Sequence, residues 1–157
     1  MFRIISGGQT GVDRAALDAA INLQISHGGW CPRGRLAEDG TIPDQYHLSE
    51  TGDIDYRTRT EWNVRDADAT LVLNTGKLEG GTELTIEFAR KFRKPCLVIN
   101  LDDPDKAGII YEWLLSNRIN TLNVAGPRAS KRPGIYDAAY ALLLDVFSRI
   151  QASPQHN

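Results

Sequence analysis

Cysteine is scarce in these 157 residues: Cys31 and Cys96 are the only two. So far apart, they build neither a disulfide framework nor a zinc knuckle. They read as free, buried or half-buried thiols of a reducing cytosol. Histidine is equally thin. His27, His47 and His156 have no second His or Cys at ligand spacing, so no protein-built metal site is expected. No apolar run approaches the roughly 20 residues of a membrane span. The opening Met1-Phe2-Arg3-Ile4-Ile5-Ser6 is too short an apolar run for a secretory signal, and a cytoplasmic setting is expected. Basic excess is missing too. Eighteen Lys and Arg face twenty Asp and Glu, for a net charge of −2 and a pI near 5.9. That balance argues against a nucleic-acid partner. Repeats, low-complexity tracts and domain linkers are also missing.

What is present fits one compact domain over residues 1–150, followed by a polar tail at 151–157. Hydrophobic residues make up 41% of the chain, enough for an ordinary core. Short apolar runs at 2–6, 69–73, 96–101 and 122–125 read as buried strands. Residues 10–23, 57–67, 82–92, 103–117 and 135–150 have helical spacing. Val12, Ala15, Ala16, Ala19 and Leu23 share one face of the first helix. Thr10 with Asp13 resembles a capping box with a shorter acid. Tyr136, Tyr140 and Trp113 sit on helical stripes and read as core. Strand-then-helix alternation predicts a Rossmann-like, three-layer α/β sandwich with a mainly parallel sheet. Residues 25–56 break the pattern. Rich in Gly, Pro and charge, they predict one short strand near 26–30 and otherwise an aperiodic loop, of a length that is often functional. Trp30, Arg33 and Arg35 in it are either a lid over a ligand or, respectively, a core aromatic and two solvated cations.

Parallel strands send every strand-to-helix loop to one edge, and ligands bind there. Three such loops carry glycine. The first is Ser6-Gly7-Gly8-Gln9-Thr10-Gly11-Val12-Asp13-Arg14. The second ends in Glu79-Gly80-Gly81-Thr82. The third is Val124-Ala125-Gly126-Pro127-Arg128-Ala129-Ser130 and runs on to Pro133-Gly134-Ile135-Tyr136. Glycine lets a ligand approach backbone N–H groups, and a helix N-terminus adds positive potential, so phosphate or another anion is the expected guest. No Gly-Lys-Ser/Thr follows any loop and none is a full GxGxxG, which argues against a standard ATPase or NAD enzyme. Arg128 and Arg14 are either bidentate anion donors or solvated surface cations. Asp13 either complements its helix dipole or accepts hydrogen bonds from a ribose or pterin; Glu83 reads as dipole complementation.

The same loops carry a resemblance. Ser6-Gly-Gly-Gln-Thr-Gly-Val-Asp resembles a segment of DNA-processing protein A and its relatives. Arg59-Thr60-Glu61-Trp62-Asn63, Ala67-Asp68-Ala69-Thr70-Leu71-Val72 and Gly80-Gly81-Thr82-Glu83-Leu84-Thr85 look like the next stretch of that superfamily. Leu122-Asn-Val-Ala-Gly-Pro-Arg-Ala-Ser resembles its opening strand, here placed last, as in a circular permutation. Over about residues 2–150 the chain is similar to the family called molybdenum carriers, also described as the circularly permuted YpsA-type branch of the SLOG superfamily.

The resemblance implies a small phosphate-containing ligand, either the molybdenum cofactor (molybdopterin) or a nucleotide derivative. Gly7, Gly8, Gln9, Thr10, Gly11, Asp13, Gly80, Gly81, Thr82, Gly126 and Arg128 would cradle it, with Arg59 and Asn63 contributing from the helix before the central strand. Relatives are usually oligomeric, so a homodimer or homotetramer is expected. Lonely Guy phosphoribohydrolases resemble this superfamily and use a Glu where this chain has Thr85, and threonine cannot replace a carboxylate as general base. Binding without catalytic residues is therefore expected. The alternative is a nucleotide-processing enzyme, cleaving an N-glycosidic bond with Asp13, Glu83 or Asp68 as its acid.

Overall fold

The computed structural model describes residues 1–153. Nine strands and five helices are formed among them: β1 (Arg3–Ile5), α1 (Val12–Asn22), β2 (Ser26–Gly28), β3 (Trp30–Cys31), β4 (Leu36–Ala37), β5 (Gly40–Thr41), β6 (Ser49–Glu50), α2 (Tyr56–Asp66), β7 (Ala69–Asn74), α3 (Gly81–Lys91), β8 (Cys96–Asn100), α4 (Lys106–Ser116), β9 (Thr121–Ala125) and α5 (Ile135–Ala152). Five strands make one parallel sheet in the order β2-β1-β9-β7-β8. All six residues of β7 are buried, as expected for a parallel strand covered on both faces.

The crossovers explain the layers. α1, α4 and α5 cover one face, where Phe2, Ile4, Leu71, Leu73, Leu122, Leu143 and Phe147 form the main core. Small Ala15, Ala16, Ala19 and Ala20 let α1 lie close against sheet and neighbour. α2 and α3 cover the other face over a smaller cluster of Val64, Phe88 and Ala89. α2 carries weak apolar marks because its buried side is largely polar: Arg59 and Asn63 lie there beside Val64.

The strand order also displays the permutation. Numbered from β9, the sheet reads 3-2-1-4-5, with the chain running β9, α5, β1, α1, β2 toward one edge and β7, α3, β8 toward the other. That is the order of a doubly wound dinucleotide-type sheet. The last strand of the sequence thus holds the first place of the fold. The ends of the described chain lie near one another: Phe2 packs edge-on against Phe147 with ring centroids 5.9 Å apart.

Three local expectations are corrected. Residues 25–56 are not an unstructured loop. β3 pairs with β6, β4 pairs with β5, and Leu17, Cys31, Ala37, Ile42 and Tyr46 form a separate small core. Arg35 is neither lid nor solvated cation: it donates to the carbonyls of Ile42, Pro43, Tyr46 and Leu48 and binds the segment together. Strands of two residues are too short to show a period, which is why they were invisible in the sequence. The Thr10–Asp13 capping box does not form either. α1 starts at Val12 behind Gly11, which has φ +82° and no side-chain cap. Finally, Gln151 and Ala152 extend α5 rather than opening a tail, and Ser153 is buried. The remaining tail residues 154–157, with His156, lie outside the described residues.

Phe147 is fully buried and contacts Phe2. Phe147→Ala should cost about 3–5 kcal/mol of unfolding free energy, measured by urea denaturation.

Candidate functional site

The sheet order reverses between β9 and β7, so the crevice at their carboxyl ends is where a ligand is expected. The register brings these ends level, with Val72 opposite Ala125. A pocket of about 190 Å³ opens there, and all three glycine loops reach it. Its walls include Gln9 and Asp13 from the first loop and α1, Tyr56 and Arg59 from α2, and Asn74 at the end of β7. Glu79, Gly80, Gly81, Thr82 and Thr85 come from the second loop and α3, and Ala125, Gly126, Pro127, Arg128, Lys131 and Arg132 from β9 and the third loop.

The three loops are not equivalent. The first and third are packed into each other. A Cβ on Gly11 would stand 2.4 Å from the Pro127 carbonyl oxygen, and one on Gly126 would stand 2.3 Å from that of Leu73. The Val12 N–H donates to Pro127 (3.3 Å), and the Ala129 N–H donates to the Thr10 hydroxyl (3.1 Å). Protein groups therefore stopper the N-terminus of α1. The N-terminus of α3 is open. No side chain caps it, and nothing lies within 4 Å of where a Cβ would sit on Gly80 or Gly81. That leaves room for a ligand at a positive helix end.

Cations gather here although the chain is net acidic. Arg59, Arg128, Lys131 and Arg132 line the pocket against two acids, Asp13 and Glu79. Arg132 is largely committed: its guanidinium bonds Thr75 O (2.8 Å), Lys77 O (2.9 Å) and Glu79 (3.2 Å), tying the second loop to the third. Arg59 is buried, donates through Nη1 to Gly7 O (2.9 Å) and rests on the Tyr56 ring, 4.9 Å from its centroid. Lys131 is exposed and has no ion-pair partner among the described residues.

Asp13 is the unusual group. It is 7% exposed, lines the pocket and accepts the Gln9 N–H at 3.2 Å. Burial pushes its carboxyl above the ordinary carboxylate value, outweighing the downward pull of Arg59 and of the Gln9 N–H. A buried acid and a buried arginine thus share the wall of this cleft, which makes Asp13 a candidate site residue.

Other residues named from the sequence are used differently. Gly7, Gly8, Thr10, Gly11 and Asn63 do not line the pocket. Asn63 accepts the Trp30 N–H (2.8 Å) and donates to its carbonyl (3.0 Å), pinning β3 to α2. Trp30 donates from Nε1 to Asp66 (2.7 Å) and packs edge-on against Trp62. Arg14 forms a two-pronged pair with Asp39 and donates to Gly8 O. Asp68 accepts the N–H groups of Asn120 and Thr121 at the opposite edge of the sheet, and Glu83 is exposed outside the pocket. Thr85 is buried in the wall with its hydroxyl on Gly81 O (2.9 Å). Tyr56, Asn74, Lys131 and Arg132 are pocket residues that sequence reasoning missed. Only Lys131 and Arg132 left a signal there, as a small basic cluster just after Arg128.

The sequence matches the family described as "Circularly permutated YpsA SLOG family" over residues 4–147. Among solved structures, the chain is similar to one from Syntrophus aciditrophicus SB named "Putative molybdenum carrier protein". The two are 53% identical and superpose with a TM-score of 0.90, over 94% of each chain. No curated protein matches the chain. Among the described residues, no helix is long and apolar enough to cross a membrane, and no group of three or more His, Cys, Asp or Glu is arranged to hold a metal ion.

Two outcomes follow. Asn63→Ala strands both backbone groups of Trp30 and should cost about 1–3 kcal/mol of stability in urea titrations. For Asp13 the raised value means that the native state holds the proton more tightly than the unfolded chain. Its contribution to stability is then greatest in acid and is lost as pH rises from the ordinary 3.8 through the native value. Asp13→Asn should therefore be at least as stable as wild type at pH 7, with an advantage that shrinks toward pH 4. A wild-type advantage at pH 7 would show instead that Arg59 holds Asp13 ionised.

Proposed function

Since the chain belongs to the circularly permuted YpsA SLOG family, we propose that it is a binding or carrier protein for a small phosphate-containing ligand. The observation that carries this reading is the pocket at the sheet's switch point, where an open helix N-terminus faces a cluster of cations. Gly80, Gly81 and Thr82 offer the α3 end to the phosphate, with Arg128 and Lys131 supplying counter-charge. Asp13, Gln9 and Arg59 meet the organic part. The volume is below the roughly 300–1,000 Å³ of drug-sized sites. It suits an anionic head with one small ring, the rest of the ligand lying across the mouth.

Two ligand classes fit: the pterin phosphate of molybdenum cofactor, suggested by the name of the Syntrophus relative, and a nucleotide. The pocket lining includes no cysteine or histidine that could offer a soft metal a thiolate or imidazole. A molybdenum atom would therefore be held by the pterin's own sulfur atoms, and the protein would grip the phosphate. One feature favours an enzymatic reading as well. Of the three acids considered for N-glycosidic cleavage, Asp13 alone lines the pocket. Free base released from a nucleotide panel, and lost in Asp13→Ala, would support it.

The deciding experiment is to denature freshly purified protein and identify the released small molecules by mass spectrometry. A stoichiometric pterin phosphate supports the cofactor carrier, and a nucleotide supports a nucleotide binder. No released ligand, together with no binding from pterin and nucleotide panels, would refute the proposal. Arg128→Ala should weaken binding of the identified ligand about tenfold or more, the worth of one charge-assisted hydrogen bond.

A further inference from the structure

The β4–β5 hairpin reaches over the first and third loops with two adjacent acids, Glu38 and Asp39. Their ion pairs differ in kind. Asp39 meets Arg14 in a two-pronged bridge at 2.5 and 2.8 Å. Such geometry anchors a hairpin. Glu38 meets Arg128 through a single contact, Nε to Oε2 at 3.4 Å, and Nε is a buried donor left without a hydrogen bond. A bridge built for stability would satisfy that donor, because an orphaned buried N–H is costly.

The rest of Glu38 is firmly fixed. Its carboxylate accepts the Ser130 hydroxyl (2.5 Å), the Ser130 N–H (3.2 Å) and the Thr10 hydroxyl. Its own N–H donates to Gln9 Oε1 (2.9 Å), which also takes the Thr10 N–H (3.0 Å). Glu38 lies outside the pocket, yet it touches two residues that line it. Arg128 keeps Nη1 and Nη2, and Gln9 keeps its amide N–H₂, free of described partners.

We propose that Glu38 is a positioning residue for the pocket. It fixes the back of Arg128 with its carboxylate and the carboxamide oxygen of Gln9 with its backbone, so that the remaining donors of both turn to the ligand. This rests on the reading that the pocket binds an anion-bearing ligand. The long contact suits the role: it sets the direction of the guanidinium and leaves its outer nitrogens to the guest. Thr10 then serves the site through Glu38 instead of through the ligand.

The test is a double-mutant cycle by calorimetry, with 5′-AMP and inorganic phosphate as probes and thermal unfolding recorded alongside. Glu38→Gln keeps an acceptor for Thr10 and Ser130 and removes the charge facing Arg128. It should weaken probe binding roughly five- to tenfold, as for a lost positioning contact, with little change in Tm. Glu38→Gln combined with Arg128→Ala should bind no more weakly than Arg128→Ala alone. Asp39→Asn should lower Tm and leave affinity unchanged. Additive losses, unchanged affinity or tighter binding in Glu38→Gln would overturn the proposal, the last by showing Glu38 to be a competing internal anion. If wild type binds neither probe, the ligand reading loses support independently. Nitrogen-15 relaxation of the Arg128 side chain then decides: a guanidinium ordered in wild type and mobile in Glu38→Gln supports the positioning role, and equal order overturns it.

Discussion

Pairing of β9 between β1 and β7 is the constraint on which the site depends. It is the central strand of the sheet although it is the last in the chain. Its neighbours deliver the first and second glycine loops on either side of the third. With all strands parallel, the three loops emerge at one edge and the order reverses beside β9. The turn after β9 must then pass between the end of β7 and the start of α1. A Cβ on Gly126 would collide with the Leu73 carbonyl and with Val12. Glycine at that position thus closes the fold and shapes the pocket floor together.

Close packing has a chemical consequence. In the first loop the Gln9 and Thr10 N–H groups bond to Asp13 and to the Gln9 carboxamide, while the Val12 N–H and Gly11 meet the third loop, so these groups fix geometry. The N-terminus of α3, by contrast, is uncapped and has open space before it. Around this end the protein concentrates positive side chains while remaining net acidic overall. Those side chains set a positive local potential in the cleft. Asp13 works against that field. Burial imposes a desolvation cost on its carboxyl, which also accepts the Gln9 N–H. It stands in the pocket wall with Gln9 and Arg59.

The segment between β2 and α2 supplies the frame around this cleft. Its small core rests on Leu17 of α1, and Arg35 ties its turns together from within. From that platform the β4–β5 hairpin sets Glu38 and Asp39 against the glycine loops. Arg132 does the corresponding work on the far side, joining the second and third loops. The pocket is thereby held by tethers from elements distant in sequence, and each glycine loop is cross-linked to at least one other.

Local chemistry determined much of this from the sequence alone. The continuous apolar runs of β7 and β8, the helical stripes of α1 and α5, and the glycine loops between strand and helix made a parallel α/β fold legible, because each depends on residues near in sequence. Gly80, Gly81, Asp13 and Arg128, singled out from the glycine loops, and Arg59, named through the family resemblance, do line the pocket. Tertiary structure alone decided the rest. Asn63 spends its amide on the Trp30 backbone and Thr10 spends its hydroxyl on Glu38, while Tyr56, Asn74, Lys131 and Arg132 join the wall. Strands of two residues, an arginine bonded to four carbonyls and a carboxylate holding a loop about ninety residues away leave no periodic trace. Which hydrogen-bonding group meets the ligand and which is consumed inside the protein depends on partners brought together only when the sheet closes around β9.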